Sequence, residues 1–399
     1  MPTILQINTV INTTSIGRIA EEIGQLVISK GWRSLIAYGR RPRQSQSELI
    51  RVGTNWDNLL HGLATRFFDR HGLASRQATR KLIKQIELIK PDLIHLHNIH
   101  GYYLNYPLLF EYLTRANIPV VWTLHDCWAV TGHCSYFSFI NCNRWKQQCY
   151  DCPQKKSYPS SFLFDCSKEN YIKKRNAFTL PDNLTIVCVS DWLQGLIKES
   201  YLSKYPILRI HNGIDLDLFI PGKMRKKKLK ITLLGVANVW DSRKGLIDFF
   251  RLRRRLPRDD YDIVLVGLSK SQLRHLPEGI KGICRTENIQ QLVELYREAT
   301  IFINLTREDC FPTTNLEALA CGIPVITYKT GGSIEAVDSE TGIIVDQGDL
   351  NGIIDAIREL SQRDQVRLSR DCRQRAINYY NKKKRFQEYF DLYTMLIKE

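Results

Sequence analysis

Two carboxylates, Asp309 and Glu317, are separated by seven residues in Arg307-Glu308-Asp309-Cys310-Phe311-Pro312-Thr313-Thr314-Asn315-Leu316-Glu317-Ala318-Leu319-Ala320-Cys321-Gly322-Ile323-Pro324. The stretch follows an apolar run, so Asp309 is expected at the end of a strand. Thr313 or Thr314 is suited to cap a helix that stops at Gly322, with Pro324 just beyond. The unbonded N–H groups at such a helix start form an anion site that suits a diphosphate. Glu317, read in the first turn, can accept hydrogen bonds from a ribose diol. The two acids would then grip opposite ends of one nucleotide sugar. The competing reading is an ordinary strand–loop–helix junction.

Other residues carry weaker chemical signals. Thr123-Leu124-His125-Asp126 ends a second apolar run, and a lone His at a strand end is more often structural. His95, His97 and His100 have metal-like spacing but continue a strand into a loop, which favours a polar wall over a metal centre. Of the 11 cysteines, Cys134, Cys142, Cys149 and Cys152 fall close together and end in Cys-x2-Cys. Four thiolates can close a tetrahedral structural zinc site. Unliganded thiols or a redox-labile pair are the alternative.

The elements that must position these groups alternate along the chain. Thr3–Ile7, Arg33–Ala37, Asp92–Leu96, Val120–Leu124 and Thr185–Val189 read as strands separated by helical periodicity, beginning with a helix at Ile16–Lys30. A second series follows the polar stretch Pro221–Lys230: Lys230–Leu234, Asp262–Val266, Thr300–Asn304, Pro324–Tyr328 and Gly342–Val345. Buried strands alternating with helices imply parallel sheets covered on both faces. The expected fold is therefore α/β, with two doubly wound Rossmann-like halves. Ligands in such sheets bind beyond the carboxyl ends of the strands. No Gly-x-Gly-x-x-Gly follows the first strand, which argues against a dinucleotide oxidoreductase.

The 57 Lys and Arg against 41 Asp and Glu leave a net charge of +16, which favours an anionic partner. Arg66-Phe67-Phe68 and Arg76, Arg80, Lys81 and Lys84 fall on an amphipathic helix pair. Adhesion to an anionic membrane surface and a solvated basic face are both consistent with them. Nucleic acid is disfavoured, because no binding module accompanies the charge. Met1–Gln6 has no basic n-region and no apolar run spans a membrane, so a cytoplasmic location is expected.

The Asp309-to-Pro324 string resembles family-4 glycosyltransferases, retaining enzymes of the GT-B fold. In that family an acidic-x7-Glu motif, then Ala-Leu-Ala and Gly-x-Pro-Val-Ile, binds the donor; most members have Glu where Asp309 stands. The resemblance implies that Asp309 contacts the donor sugar and Glu317 the ribose. Phe311 and the amides of Thr313, Thr314 and Asn315 would lie near the diphosphate. Ser15-Ile16-Gly17-Arg18-Ile19-Ala20 resembles the loop where a glycine, here Gly17, approaches that diphosphate. Asp241-Ser242-Arg243-Lys244-Gly245 resembles the Lys-Gly segment, with Lys244 on the departing phosphate. The family's usual upstream Arg is replaced by Asn238 or Val239, and Arg243 is the candidate substitute. His125 matches the His that lies beside the reacting sugar, where a neutral imidazole could donate a hydrogen bond to a sugar hydroxyl or help position the acceptor, with His97 and Asp126 on the acceptor side. His211-Asn212-Gly213-Ile214-Asp215 resembles the crossover turn, with Asn212 lining the cleft. A capsule and exopolysaccharide subset shares the cysteine insertion and the Gly-Arg-Ile-Ala-Glu-Glu-Ile-Gly opening.

The resemblance further implies an acceptor domain at 1–218, with the cysteine-rich insertion at 127–156. It implies a donor domain at 219–377 facing it, and a helix at 378–399 crossing back. Reaction would run from a UDP- or GDP-linked sugar to a polysaccharide or lipid-linked acceptor. No side chain is an obvious nucleophile, so front-face attack assisted by the leaving phosphate is expected, with no catalytic metal required. A sugar-nucleotide epimerase of the same fold and a catalytically silent nucleotide-sugar-binding subunit are the rival readings. A phosphorylase would need a pyridoxal lysine site that is not identifiable.

Overall fold

A computed structural model describes residues 1–222 and 230–398; most of the polar stretch Pro221–Lys230 noted above therefore lies outside the described residues. The chain divides into two compact units, Met1–His211 with Phe386–Glu399, and Asn212–Arg385.

The first unit holds a seven-stranded, all-parallel sheet in the order β3-β2-β1-β4-β5-β6-β7. Its strands are β1 (Thr3–Asn8), β2 (Arg33–Tyr38), β3 (Glu48–Arg51), β4 (Leu93–Leu96), β5 (Val120–Leu124), β6 (Leu184–Cys188) and β7 (Ile207–Arg209). The helices between them are α1 (Thr14–Ser29), α2 (Asn55–Phe68), α3 (Arg76–Ile89), α4 (Tyr106–Ala116), α5 (Ser167–Phe178) and α6 (Asp191–Lys198).

The second unit holds a six-stranded parallel sheet, β10-β9-β8-β11-β12-β13. These strands are β8 (Ile231–Val236), β9 (Tyr261–Val266), β10 (Ile280–Ile283), β11 (Ile301–Asn304), β12 (Val325–Tyr328) and β13 (Gly342–Val345). Its helices are α7 (Leu246–Arg255), α8 (Lys270–Arg274), α9 (Ile289–Glu298), α10 (Thr313–Ala320), α11 (Leu350–Gln362) and α12 (Gln365–Tyr379), and α13 (Lys382–Lys398) closes the chain.

Burial explains the strand composition. Every residue of β1, β4, β5 and β6 is buried, because helices cover both faces of the sheet and leave no side for polar residues. Ile19, Ile23 and Val27 recur at helical spacing on α1 and pack with Ile4, Leu93, Val121 and Val187. Phe386, Tyr389, Leu392 and Tyr393 of α13 complete that same core. The chain therefore ends in the unit where it began. Each sheet reverses direction between a first strand and its neighbour, at β1/β4 and at β8/β11. Those reversals are where open α/β sheets accept ligands.

Candidate active site

In the second unit the loops after β8 and β11 meet beyond the strand ends. Asp241 accepts from the N–H groups of Arg243 and Lys244, both at 3.1 Å, and tightens the first loop. Gly245 follows with φ +74°, and a Cβ there would meet Leu305 O at 2.2 Å. Only glycine permits that turn and that approach. Arg307 N–H donates to Arg243 O at 2.7 Å, joining the two loops. The Arg307 guanidinium turns away to the buried Asp248 carboxylate at 3.1 Å, which also accepts from Tyr328 OH at 3.2 Å.

This brings Lys244 Nζ within 2.5 Å of Asp309 Oδ2, while Arg243 Nη1 stands 3.7 Å from the same oxygen. Arg243 Nη1 also donates to Glu308 O at 2.6 Å. Burial alone would raise the Asp309 pKa; Lys244 and Arg243 outweigh it and hold the carboxyl below its usual range. Asp309 Oδ1 accepts from Phe311 N–H at 3.2 Å, and Asp309 O accepts from Gly332 N–H at 2.9 Å. Phe311 is buried beside Tyr380, and Asn212 Nδ2 donates to its carbonyl at 3.3 Å.

Helix α10 begins at Thr313, with Pro312 as its N-cap and no side-chain cap. The expected capping by Thr313 or Thr314 is thus corrected: both are already helical, and their partly exposed side chains flank the start. Its first N–H groups lack intrahelical acceptors, but Asn315 N–H is taken by Pro312 O at 3.2 Å. The Asn315 side chain is buried between Asn304 and Ser333 O, so it braces the loop. Glu317 is the fifth helical residue and lies just past the first turn, a second correction. Its buried Oε2 accepts from Tyr296 OH at 2.8 Å.

In the first unit, His97, His100, His125 and Asp126 line a recess of about 190 Å³ with Trp122 and Trp128. A hydrogen-bond chain assigns the ring protons. Gln6 Nε2 donates to Ala20 O at 2.8 Å, so its Oε1 accepts from His97 Nε2 at 3.0 Å. His97 Nδ1, 3.2 Å from His125 Nε2, must then accept. His125 therefore spends its N–H on His97 and offers Nδ1 as an acceptor. This reverses the donor role expected for a neutral His125. Burial lowers the His97 pKa well below its ordinary value and lowers that of His125 to about 4. Asp126 Oδ2 lies 3.0 Å from His100 Nε2. Burial opposes its ionisation, but His100 and the Trp128 N–H keep its pKa low.

His95 does not line this recess; it is buried against Thr123 at 2.7 Å and Tyr393 at 2.5 Å. Gly17 lies in α1, where a Cβ would press on Val10 and the Asn12 backbone at 3.0–3.3 Å. Its close approach here is to its own loop.

Residues 16–218 match the family described as Glycosyltransferase Family 4, and residues 230–363 match Glycosyl transferases group 1. The chain belongs to glycosyltransferase family 4. WcaC of Escherichia coli K12, named as a colanic acid biosynthesis glycosyl transferase, is 22% identical to this glycosyltransferase over 98% of its chain and 100% of WcaC. A UDP-Gal:alpha-D-GlcNAc-diphosphoundecaprenol alpha-1,3-galactosyltransferase of Escherichia coli is 22% identical over 59% of this chain and 67% of that protein. Among solved structures, HepE of Anabaena in complex with UDP-glucose superposes with a TM-score of 0.67 at 14% identity, covering 99% of this chain and 100% of HepE. The two doubly wound units form the GT-B fold.

The cysteine segment of the glycosyltransferase packs beside the histidine recess. Cys134, Cys142, Cys149 and Cys152 line one hollow with Phe137 and Trp145. A hydrogen bond from the Cys134 thiol brings the Cys152 pKa down to about 7, and burial pushes Cys149 up to about 12. Among the described residues, no three of these sulfurs converge within 4.8 Å. The buried Lys174 lies over Trp128 and donates to its carbonyl at 2.7 Å. Burial lowers its pKa to about 7, against the raising influence of Cys149 and Cys134. The buried pair His133–Asp69, at 2.6 Å, ties the segment to the end of α2.

Sequence reasoning missed Tyr296 and Gln6. Neither has a local signal; each is recognisable only by the partner that the fold brings to it.

Proposed function

We propose that this glycosyltransferase moves a sugar from a nucleoside diphosphate to a polysaccharide or lipid-linked saccharide, with retention of anomeric configuration. The observation that carries the reading is Lys244 paired at 2.5 Å with Asp309, one short loop before the N-terminus of α10. Lys244, Arg243 and the N–H groups of Thr313 and Thr314 supply positive potential for a diphosphate. Asp309 faces the donor sugar, Glu317 the ribose, and Phe311 holds the loop between them. UDP is the favoured base carrier over GDP, supported by the UDP-glucose bound to HepE.

In the proposed step the bond from the anomeric carbon to the phosphate oxygen breaks. The acceptor hydroxyl bonds to that carbon on the same face, and its proton passes to the leaving phosphate. His125 Nδ1 accepts a hydrogen bond from a sugar hydroxyl, and His97 holds the ring for it; Asp126 shapes the acceptor side, while Asn212 braces the loop at Phe311. Gly17 keeps the loop after β1 tight. The cationic side chains carry the leaving-group charge, so no catalytic divalent metal is required. The names of WcaC and the diphosphoundecaprenol galactosyltransferase support an extracellular-polysaccharide or lipid-linked acceptor. Such an acceptor would place the enzyme peripherally on the inner face of the cytoplasmic membrane. A zinc ion drawn to Cys134, Cys142, Cys149 and Cys152 would staple that segment and do no chemistry. About one zinc per chain, lost on Cys149→Ser, supports this; four free thiols without zinc remove it.

A donor screen tests the transfer reaction. The protein is mixed with UDP- and GDP-sugars and a membrane lipid extract, and free nucleoside diphosphate is measured. Acceptor-dependent release from one donor is expected. Epimerised donor without release, or silence with no donor binding by thermal shift, would overturn the reading.

A further inference from the structure

Helix α2 is built inside out. Its buried residues, His61 and Thr65, are polar. His61 meets Ser75 Oγ at 2.8 Å and accepts from Gly72 N–H at 3.0 Å, while Thr65 donates to His61 O at 3.0 Å. These bonds fasten the polar side of α2 to the start of α3. The outward side carries Trp56, Leu59, Leu60, Leu63 and Phe67 at helical spacing, 73%, 50%, 61%, 39% and 41% exposed. The apolar surface continues past the helix. Phe68 stacks on Phe164 with ring centroids 6.0 Å apart, and Phe162 N–H donates to Arg66 O at 2.7 Å. Phe162, Leu163 and Phe164 are each more than half exposed. Scattered exposed leucines are ordinary, but a contiguous apolar surface of this kind marks an interaction site.

Charge selects the occupant. Arg66 and Arg70 border the patch, and α3 adds Arg76, Arg80, Lys81 and Lys84; all six are exposed, and none forms an ion pair among the described residues. The acids of α2, α3 and the turn between them are Asp57, Asp69 and Glu87. Asp57 is spent in the capping box with Thr54, and Asp69 is buried against His133. The rim is therefore strongly cationic, with six exposed cations against the one exposed acid of α3, Glu87. A second copy of the chain would set these cations against themselves. A bilayer with anionic headgroups takes both the apolar centre and the basic rim.

We propose that α2 and the Phe162–Phe164 loop enter the headgroup region of an anionic phospholipid bilayer, with the basic side chains of α2 and α3 against lipid phosphates. This goes beyond the transfer reaction and assigns the membrane contact to one surface. The test is co-sedimentation of the full chain with phosphatidylglycerol–phosphatidylcholine vesicles and with pure phosphatidylcholine vesicles, with no sugar donor or acceptor present. Binding is expected to be at least tenfold tighter to the anionic vesicles and to weaken with salt. Trp56→Gln with Leu60→Gln should lose at least tenfold in vesicle affinity at unchanged melting temperature. Arg80→Glu with Lys81→Glu and Lys84→Glu should abolish the anionic preference. Absent binding, or equal binding by wild type and the Trp56/Leu60 variant, overturns the proposal. So does a dimer in light scattering that the same variant dissociates. None of these outcomes depends on glycosyl transfer.

Discussion

In the unit Asn212–Arg385, Lys244 and Arg243 crowd one carboxylate, Asp309, and hold it ionised. In the unit that begins at Met1, burial strips the charge from His97 and His125 instead. The two sites thus present opposite electrostatic materials. A diphosphate that gains charge as it leaves needs fixed cations near it. Neutral sugar hydroxyls need oriented donors and acceptors, and a neutral imidazole supplies those without attracting the phosphate. The chain Ala20–Gln6–His97–His125 fixes which ring nitrogen is which, a role that a solvent-exposed histidine could not hold.

The comparison breaks first at Lys244. Lys244→Ala is expected to lower turnover by about 100- to 1000-fold, with a smaller effect on donor binding. Equal losses in both would mean that Lys244 binds the ground state and does not respond to leaving-group charge. Glu317→Ala should weaken donor binding by about 10- to 100-fold, the range for a lost hydrogen bond to a charged group. Tyr296→Phe should show a fraction of that effect, because it only orients the carboxylate; isothermal titration with UDP reads both. On the other side of the comparison, His125→Ala should reduce turnover by about tenfold, as for a neutral hydrogen bond, and leave UDP affinity unchanged. A change in UDP affinity would show that the histidine site handles the nucleotide as well.

The smallest effect is on stability. The folded His125 titrates near 4 and the unfolded histidine near 6.5, so between those values the unfolded chain binds more protons. Stability should therefore fall as pH drops through this window, and the buried His95 and His97 act in the same direction. A melting temperature that holds steady from pH 7 to pH 5 would contradict neutral burial of this cluster.

Most of the sheet was legible because parallel strands under two helix layers are apolar throughout. The three strands missed, β3, β7 and β10, all lie at sheet edges. The exposed positions in Glu48–Arg51 and Ile207–Arg209, and Lys281 in β10, give them mixed compositions. The strand–loop–helix junction that carries Asp309 and Glu317 was legible because chain neighbours build it: strand end, loop and helix start lie within Asn304–Ala320. The start of α10 was misplaced because Pro312, without a side-chain oxygen, serves as its N-cap. The inside-out nature of α2 was only half visible. Its amphipathic pattern is in the sequence, but which face meets the protein depends on Ser75 and Gly72 across the turn.

By itself the sequence determined the family and the two-sheet architecture, because periodicity and short motifs are local properties. The tertiary structure alone decided the pairing of Lys244 with Asp309, the support of Glu317 by Tyr296, and the proton on His125. It also decided that the apolar side of α2 faces outward. Each of these depends on a partner brought from a distant element, and the energy of burial or of a hydrogen bond belongs to the pair once it has been assembled.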